Sequence, residues 1–285
     1  MPSRWLLVVP AGLLVAGGLA GIAQATRPPA EPATWVPAPA TSASAAAAAA
    51  PSRSPRPLPA AAAPRNLMTI SYFDEPRGFP SDPDPASTDA VTDGLQPAKT
   101  LAVYDAPGGR PRAFLPAVMN GLPVTVPIVE RRDGWVAVLL PSSNRTIGWL
   151  PAGGWTTRTL RDQLIVDLSS HRLVWLRNGV RQGSWSVATG AAATPTPPGR
   201  TFVLGRTPTS GAVYAGLDAL VLGAIPENRD ALSDELRDGH TAIHGWSRSS
   251  AFGRSVSNGC VRVPPSVEKT LLAHIDPGTT VHVVD

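Results

Sequence analysis

The chain of 285 residues contains one cysteine, Cys260, and its thiol is the group that most needs a chemical explanation. A single cysteine excludes an intramolecular disulfide, a CxxC redox pair and a multi-cysteine zinc site. Two interpretations remain open. The thiol is either a nucleophile or a buried structural side chain, because free cysteine is among the most buried residue types.

The neighbours of Cys260 supply groups that a thiol nucleophile requires. Gly259 lets the backbone turn sharply and approach a ligand closely, so the amides of Gly259 and Cys260 could point at one oxygen and form an oxyanion hole. Arg262 shares a face with Cys260 if the segment is extended. There it would favour the thiolate or bind a substrate carboxylate, or else form an ordinary structural salt bridge.

A thiol with an ordinary pKa is mostly protonated at neutral pH, so a nucleophilic Cys260 needs a base within hydrogen-bond reach. His244, which Gly245 follows, is the predicted base. His240 is its rival, because it would share a face with His244 along a strand; it could support the base or simply be exposed. The remaining histidines lack such a glycine-flanked setting: His171, His274 and His282.

These residues carry a resemblance to a known family. Ile-His-Gly at 243–245, followed by Ser-Asn-Gly-Cys-Val-Arg at 257–262, resembles the active-site signature of the L,D-transpeptidases with a YkuD-type catalytic domain. The Thr-Pro-rich segment 194–202 and the ending at 277–281 are similar to further segments of that family. Asn258 departs from the pattern, because many members carry histidine there.

The resemblance implies an enzyme that acts on peptidoglycan stem peptides, which serve as acyl donor and acceptor. Cys260 would attack the carbonyl after the third stem residue while His244 accepts the thiol proton, giving a thioester acyl-enzyme and free D-alanine. The side-chain amine of a second stem would then form a 3-3 crosslink, whereas water would give carboxypeptidase activity. Carbapenem-type inhibitors, which resemble the acyl donor, should acylate the enzyme. No metal or organic cofactor is implied.

The resemblance also suggests roles for individual residues. The catalytic set comprises Cys260, His244, Gly259 as an oxyanion amide, Ser257 and Arg262. The residues suggested for substrate binding are Gly245, Asn258, His240 and Tyr214. A backbone carbonyl is implied as the group that orients the base. Residues 214–237 could cover the substrate channel, or be an ordinary surface excursion.

The predicted fold class is mainly β: a small SH3-like β-barrel at residues 95–157, then a β-rich L,D-transpeptidase catalytic domain at 161–285 with one or two short helices. Short apolar alternations separated by turn signals indicate the barrel. Gly134-Trp135 and Gly148-Trp149 loosely resemble a bacterial SH3-like module, and these tryptophans are interpreted as core residues. In the catalytic region, Asn178-Gly179 predicts a hairpin turn. A helix over 267–275 is predicted before the last strand.

The N-terminal region has the composition of export and spacer segments. Residues 1–25 predict a signal peptide or membrane anchor, and residues 26–66 an Ala/Pro-rich linker. Residues 67–94 give no clear element. Both interpretations of the N-terminus place the rest of the chain outside the membrane, in the cell wall or a periplasm-equivalent space, with membrane contact only through the N-terminal segment. The net charge of +4 is too small to argue for nucleic-acid binding.

Two alternative functions remain. One is an L,D-carboxypeptidase or thiol peptidase on stem peptides, which would also use cysteine and histidine. The other is a catalytically inert cell-wall-binding protein, for which the asparagine at 258 is the only support.

Overall fold

The computed structural model describes residues 57–285 except residues 144, 227 and 238. The segment predicted as signal peptide or anchor, and residues 26–56 of the predicted linker, lie outside the described residues. In the described part of the chain, no helix is long and apolar enough to cross a membrane. The fold there is mainly β, which confirms the predicted fold class.

The first half of the described chain contains nine strands. Their bounds are β1 Asp93–Pro97, β2 Leu101–Tyr104, β3 Pro111–Leu115, β4 Val118–Met119, β5 Leu122–Pro123, β6 Val126–Arg132, β7 Trp135–Leu139, β8 Ile147–Pro151 and β9 Trp155–Thr159. Seven of them form one antiparallel sheet in the order β3-β2-β8-β7-β6-β1-β9, and β4 pairs with β5 alone. We call residues 93–159 the first module.

Tight turns and alternating apolar residues build the first module. Asp133 and Gly134 join β6 to β7 with φ of 53° and 77°, the left-handed conformation that a type I′ hairpin requires. Trp135 and Trp149 are only 1% and 3% exposed, so the interpretation of these tryptophans as core residues is confirmed. The kinship of the module with SH3-like domains stays a prediction.

The second half contains ten strands: β10 Asp162–Asp167, β11 Arg172–Arg177, β12 Val180–Ser186, β13 Ala188–Gly190, β14 Gly199–Thr207, β15 Ala219–Leu222, β16 Ala242–Gly245, β17 Arg254–Ser257, β18 Val261–Val263 and β19 Thr280–Val284. They form one mixed sheet in the order β12-β11-β10-β19-β14-β15-β16-β18-β13-β17. The helices are α1 Asp234–Arg237 and α2 Pro265–His274, and three short 3-10 turns accompany them in the described residues.

Short sequence patterns correctly predicted one turn and one helix of this half of the chain. Asn178 and Gly179 adopt φ of 50° and 75° in the turn between β11 and β12, as the sequence predicts. The helix α2 agrees with the helix predicted over 267–275. It begins at a proline, whose fixed φ and missing N–H suit a first helical position.

The sequence predicts no element for residues 67–94; β1 begins at residue 93, and the part before it is nevertheless anchored. Ile70 is 1% exposed and belongs to the core of the first module. Asp82 forms a bidentate ion pair with Arg200 of β14, and the two side chains are 8% and 7% exposed. His282 of β19 donates from Nδ1 to the Ser87 carbonyl at 2.6 Å. This segment therefore ties the first module to the second sheet.

Candidate active site

Two neighbouring parallel strands place the candidate base and nucleophile together. β16 pairs with β18 so that His244 lies opposite Arg262. Cys260 directly precedes β18, two residues before Arg262, and successive side chains of a strand alternate between faces. His244, Cys260 and Arg262 therefore project from the same face of the sheet. The strand Val261–Val263 provides the extended backbone on which the shared face of Cys260 and Arg262 depends.

A tight turn holds the nucleophile in place. The Ser257 hydroxyl donates to the Cys260 carbonyl at 2.5 Å and accepts from the Gly259 N–H at 3.2 Å. Gly259 has φ of 101°, and a Cβ there would lie 3.4 Å from the Pro226 side chain and 3.5 Å from the Pro195 carbonyl. The added Cβ would meet only ordinary contacts, so the left-handed φ is what makes glycine the residue that fits here without strain.

This turn bears on the roles expected of Gly259 and Ser257. The Gly259 N–H already has a partner, so it can serve an oxyanion only if its hydrogen bond to Ser257 breaks. Ser257 is 1% exposed and shapes the turn without facing the cavity that contains Cys260. The structure therefore places Ser257 as a positioning residue.

Two threonines of the Thr-Pro-rich segment form hydrogen bonds with the backbone near this turn. Thr194 donates from its hydroxyl to the Ser257 carbonyl at 3.1 Å. Thr196 accepts a hydrogen bond from the Gly190 N–H at 2.9 Å. Both threonines are buried, so the segment that resembles the family in sequence has a structural task here.

His244 is oriented as a base. It is 6% exposed, and its Nδ1 lies 3.0 Å from the carbonyl of Gly245. Because a carbonyl only accepts, Nδ1 carries the proton and Nε2 is left as the acceptor. Burial lowers the pKa of His244, the Arg262 charge lowers it further, and the bond to Gly245 opposes the shift. The imidazole is therefore neutral near pH 7.

Gly245 has a different place from the one predicted. It does not face the cavity in the described structure but supplies the carbonyl that orients His244. A Cβ there would lie 3.4 Å from the Tyr214 carbonyl and 3.5 Å from the Glu268 Cβ, so the strand and α2 pack closely at this point. The expected orienting carbonyl is thus provided by the residue next to the base.

The thiol is protonated at rest. Cys260 is mostly buried but still accessible. Burial raises the pKa of its thiol, while the nearby backbone of Ala242 and the Arg262 charge oppose the shift. A neutral thiol that shares a cavity with a neutral imidazole requires proton transfer as part of the attack.

Aromatic rings surround these groups. The Tyr214 and His244 rings are 4.9 Å apart, and the Trp246 ring lies 5.8 Å from His244. The Arg262 guanidinium stacks 3.8 Å above the Trp246 ring and donates from Nη1 to the Val256 carbonyl at 3.2 Å. Trp246 was not predicted as a site residue, although its place directly after the Ile-His-Gly motif was the available signal.

One cavity of about 80 Å³ contains most of the predicted site residues. It is lined by Tyr214, Pro226, Leu236, Gly239, His240, His244, Asn258, Cys260 and Arg262. Six of these were predicted from the sequence. Tyr214, Pro226 and Leu236 all come from the stretch 214–237, so this stretch does border the cavity.

His240 lies at the wall between this cavity and a second one of about 450 Å³. It precedes β16 and packs its ring 5.0 Å from that of Phe73 and 6.1 Å from that of Tyr72. Neither ring nitrogen has a hydrogen-bond partner among the described residues. Burial lowers the pKa of His240, although nearby backbone groups of Leu222 and Ala224 favour its charged form. Its neutral ring can offer one donor and one acceptor.

No group of three or more histidine, cysteine or carboxylate side chains is placed to hold a metal ion within the described residues. The candidate site consists of a thiol, an imidazole, a guanidinium and backbone groups. Such a set suits nucleophilic acyl transfer.

Comparison with known proteins agrees with the motif analysis. Residues 161–283 match the family model of the YkuD L,D-transpeptidase catalytic domain. The match covers less than half of the chain and includes both Cys260 and His244. A search of curated proteins finds no match.

Several solved structures are similar to the chain. An L,D-transpeptidase from Enterococcus faecium is 20% identical, with a TM-score of 0.33, over 43% of this chain and 49% of its own. L,D-transpeptidase 3 from Mycobacterium tuberculosis is 16% identical, with a TM-score of 0.36, over 50% of this chain and 75% of its own. An L,D-transpeptidase from Stackebrandtia nassauensis is 23% identical, with a TM-score of 0.32, over 44% of this chain and 55% of its own. The chain thus spans about half the length of the Enterococcus faecium structure.

Proposed function

We propose that the chain is an exported L,D-transpeptidase that joins peptidoglycan stem peptides through a thioester on Cys260. The observation that carries this proposal is the placement of Cys260 and an oriented, neutral His244 in one cavity, inside the region that matches the family model. The Nε2 acceptor of His244 and the thiol of Cys260 are the two groups that such an attack needs.

In the acylation step, Cys260 attacks the carbonyl carbon after the third residue of the donor stem. The S–C bond forms as the thiol proton moves to Nε2 of His244, and the hydrogen bond from Nδ1 to Gly245 steadies the imidazolium. The positive charge of Arg262 disfavours this imidazolium, which helps it return the proton. The C–N bond then breaks, and the leaving D-alanine amine takes that proton.

In the second step, the side-chain amine of an acceptor stem attacks the thioester carbonyl. His244 accepts the amine proton as the new amide bond forms, and the C–S bond breaks to regenerate the Cys260 thiol. With water as acceptor the same sequence gives a shortened stem. Exclusion of water by Tyr214, Trp246 and the rest of the mostly buried surroundings would favour transfer.

A stem peptide is larger than the cavity of about 80 Å³ that Cys260 lines, so most of the peptide must bind outside this cavity. The second cavity is partly apolar, and its lining includes His240 and Arg206. We propose that it accommodates part of a stem peptide, and that binding brings a peptide group against the ring nitrogens of His240, which are buried and unpaired in the described structure. Asn258 and Tyr214, at the first cavity, would contact the residues next to the scissile bond.

Export and the nature of the first module also belong to this proposal. The apolar run within residues 1–25 supports export or anchoring, which would bring the catalytic domain to its substrate outside the membrane. The short antiparallel strands of the first module and its buried Trp135 and Trp149 support an SH3-like identity.

Product analysis tests the catalytic proposal. The full chain is incubated with a disaccharide tetrapeptide, and the products of wild type, Cys260→Ala and His244→Ala are separated and weighed by mass spectrometry. His274→Ala, at an exposed histidine on α2, serves as the matched control. We expect D-alanine and crosslinked dimers from wild type and the control, none from Cys260→Ala, and a rate lowered by about 10² to 10⁴ in His244→Ala.

Three results would change the assignment. Turnover by Cys260→Ala would refute the nucleophile. Shortened stems without dimers would indicate a carboxypeptidase. A folded wild type that makes neither product would indicate the inert wall-binding protein.

A further inference from the structure

Residues 57–66, the C-terminal end of the predicted linker, lie against the first module. The segment has the sequence Pro-Leu-Pro-Ala-Ala-Ala-Ala-Pro-Arg-Asn and contains no strand or helix of its own. Its first four residues are exposed, yet its backbone makes specific contacts. We call residues 57–64 the proline-rich segment.

Two aromatic side chains of the first module hold this segment through its carbonyls. Trp135 donates from its indole Nε1 to the Leu58 carbonyl at 2.9 Å, and Tyr104 donates from its hydroxyl to the Ala61 carbonyl at 2.6 Å. The two rings stand edge to face, 5.0 Å apart. Both side chains bury an apolar body and direct one polar group outward.

The spacing of the bonded carbonyls fits one kind of backbone. Leu58 and Ala61 are three residues apart, and a polyproline II helix has three residues per turn. That helix has no internal hydrogen bonds, so its carbonyls are free to accept from a binding surface. Aromatic grooves that bind proline-rich peptides use this geometry because the peptide loses little conformational entropy on binding.

Two glycines allow the segment to approach closely. A Cβ at Gly134 would lie 2.6 Å from the ring of Pro57, and a Cβ at Gly108 would lie 3.2 Å from the Leu58 Cβ. Both glycines have positive φ, 77° and 66°. Larger residues at these positions would push the segment off the aromatic pair.

We propose that Tyr104, Trp135, Gly108 and Gly134 form a groove for proline-rich peptides, and that the chain's own residues 57–64 occupy it as an intramolecular ligand. The groove is then a clamp that fixes the end of the linker to the first module, and it is not free to bind a separate ligand in the full chain. This inference does not depend on the proposed catalytic function.

The test replaces the proline-rich segment in the full chain and then adds the same segment as a separate peptide. In the emptied variant, residues 57–61 of the full chain are replaced by a Gly-Ser run of equal length. The probe is a fluorescent synthetic peptide of residues 57–66, and its binding is followed by anisotropy. The control peptide carries alanine in place of both Pro57 and Pro59.

A tethered segment competes at an effective concentration on the order of millimolar, so micromolar probe should bind the emptied variant and not the wild type. Adding Tyr104→Phe to the emptied variant should weaken binding about fivefold, the effect of one lost hydrogen bond. Tyr72→Phe, which changes a tyrosine outside the groove, should leave the affinity unchanged. The control peptide should bind more weakly than the probe.

A second readout follows the groove directly in case the emptied variant is less stable. The indole N–H resonance of Trp135, assigned with Trp135→Phe, should shift when the segment is replaced and return when the probe is added. Equal binding of the probe by wild type and emptied variant would overturn the inference. So would an unshifted Trp135 resonance, or no binding by a folded emptied variant.

Discussion

Replacing Glu268 with glutamine should stabilise the protein at neutral and alkaline pH. Glu268 lies in the first turn of α2, is fully buried, and has no hydrogen-bond partner at either carboxyl oxygen among the described residues. Burial raises its pKa from 4.5 to about 8; the charge of Asp218 adds to this effect and that of Arg206 opposes it. The side chain is therefore protonated in the folded protein at neutral pH.

The pKa difference sets the size and sign of the effect. Between pH 4.5 and about 8 the folded protein keeps a proton that the unfolded chain has lost, so the wild-type free energy of unfolding falls as pH rises and then levels off. At 1.36 kcal/mol per pKa unit, the full loss is about 5 kcal/mol. About 3 kcal/mol of it has already been lost near pH 7.

Glutamine has nearly the same shape as glutamate and does not ionise, so the free energy of unfolding of the variant does not fall with pH through this residue. Its amide leaves buried donors unpaired, which costs about 1 to 3 kcal/mol at every pH. The informative quantity is therefore how the stability difference between variant and wild type changes with pH. We expect the variant to gain about 4 kcal/mol on the wild type between roughly pH 5 and pH 9.

Urea unfolding at several pH values measures this difference. Glu130→Gln is the matched control, because Glu130 lies in an exposed ion pair with Arg132 at 3.6 Å and such pairs contribute about 0 to 1 kcal/mol. A stability difference between Glu268→Gln and wild type that stays constant from acid to alkaline pH would refute the reasoning. It would mean that the Glu268 carboxyl is ionised in the folded protein and finds a partner.

Three further variants probe the site and its supports. Asp82→Asn should lower the free energy of unfolding by about 3 to 5 kcal/mol in urea unfolding, because it leaves Arg200 buried beside a neutral partner; no change would show that the pair is solvated. Ser257→Ala should cost about 1 to 3 kcal/mol by the same method, since the Cys260 carbonyl loses its donor, and an unchanged midpoint would contradict that contact. His240→Leu should raise KM for a stem peptide about tenfold with kcat unchanged. His240→Gln keeps a donor and an acceptor, so its KM should lie close to that of the wild type. Equal KM values for His240→Leu and wild type would remove His240 from substrate binding.

The chemistry of the candidate site was largely readable from the sequence because it depends on short spacings. Cys260 and Arg262 are two residues apart, and a strand puts such residues on one face. The glycine after His244 and the Asn178-Gly179 turn are likewise local signals. Local backbone geometry determines all of these features, so a linear pattern can reveal them.

Long-range contacts carried no comparable signal. Asp82 and Arg200 are 118 residues apart, and nothing in either neighbourhood predicts that they pair. The sequence likewise does not show that Ser257 folds back and accepts a hydrogen bond from the Gly259 amide, the group expected to serve the oxyanion. The stacking of Arg262 on Trp246 depends on the parallel pairing of β16 with β18, which only the folded chain defines.

The most direct test of the central claim is intact-protein mass spectrometry after incubation with a carbapenem. Wild type and Cys260→Ala are compared, and circular dichroism confirms that both are folded. If Cys260 is an activated nucleophile assisted by His244, the wild type gains the mass of one drug molecule and Cys260→Ala gains none. An unmodified, folded wild type, or an equal adduct on Cys260→Ala, would contradict the account.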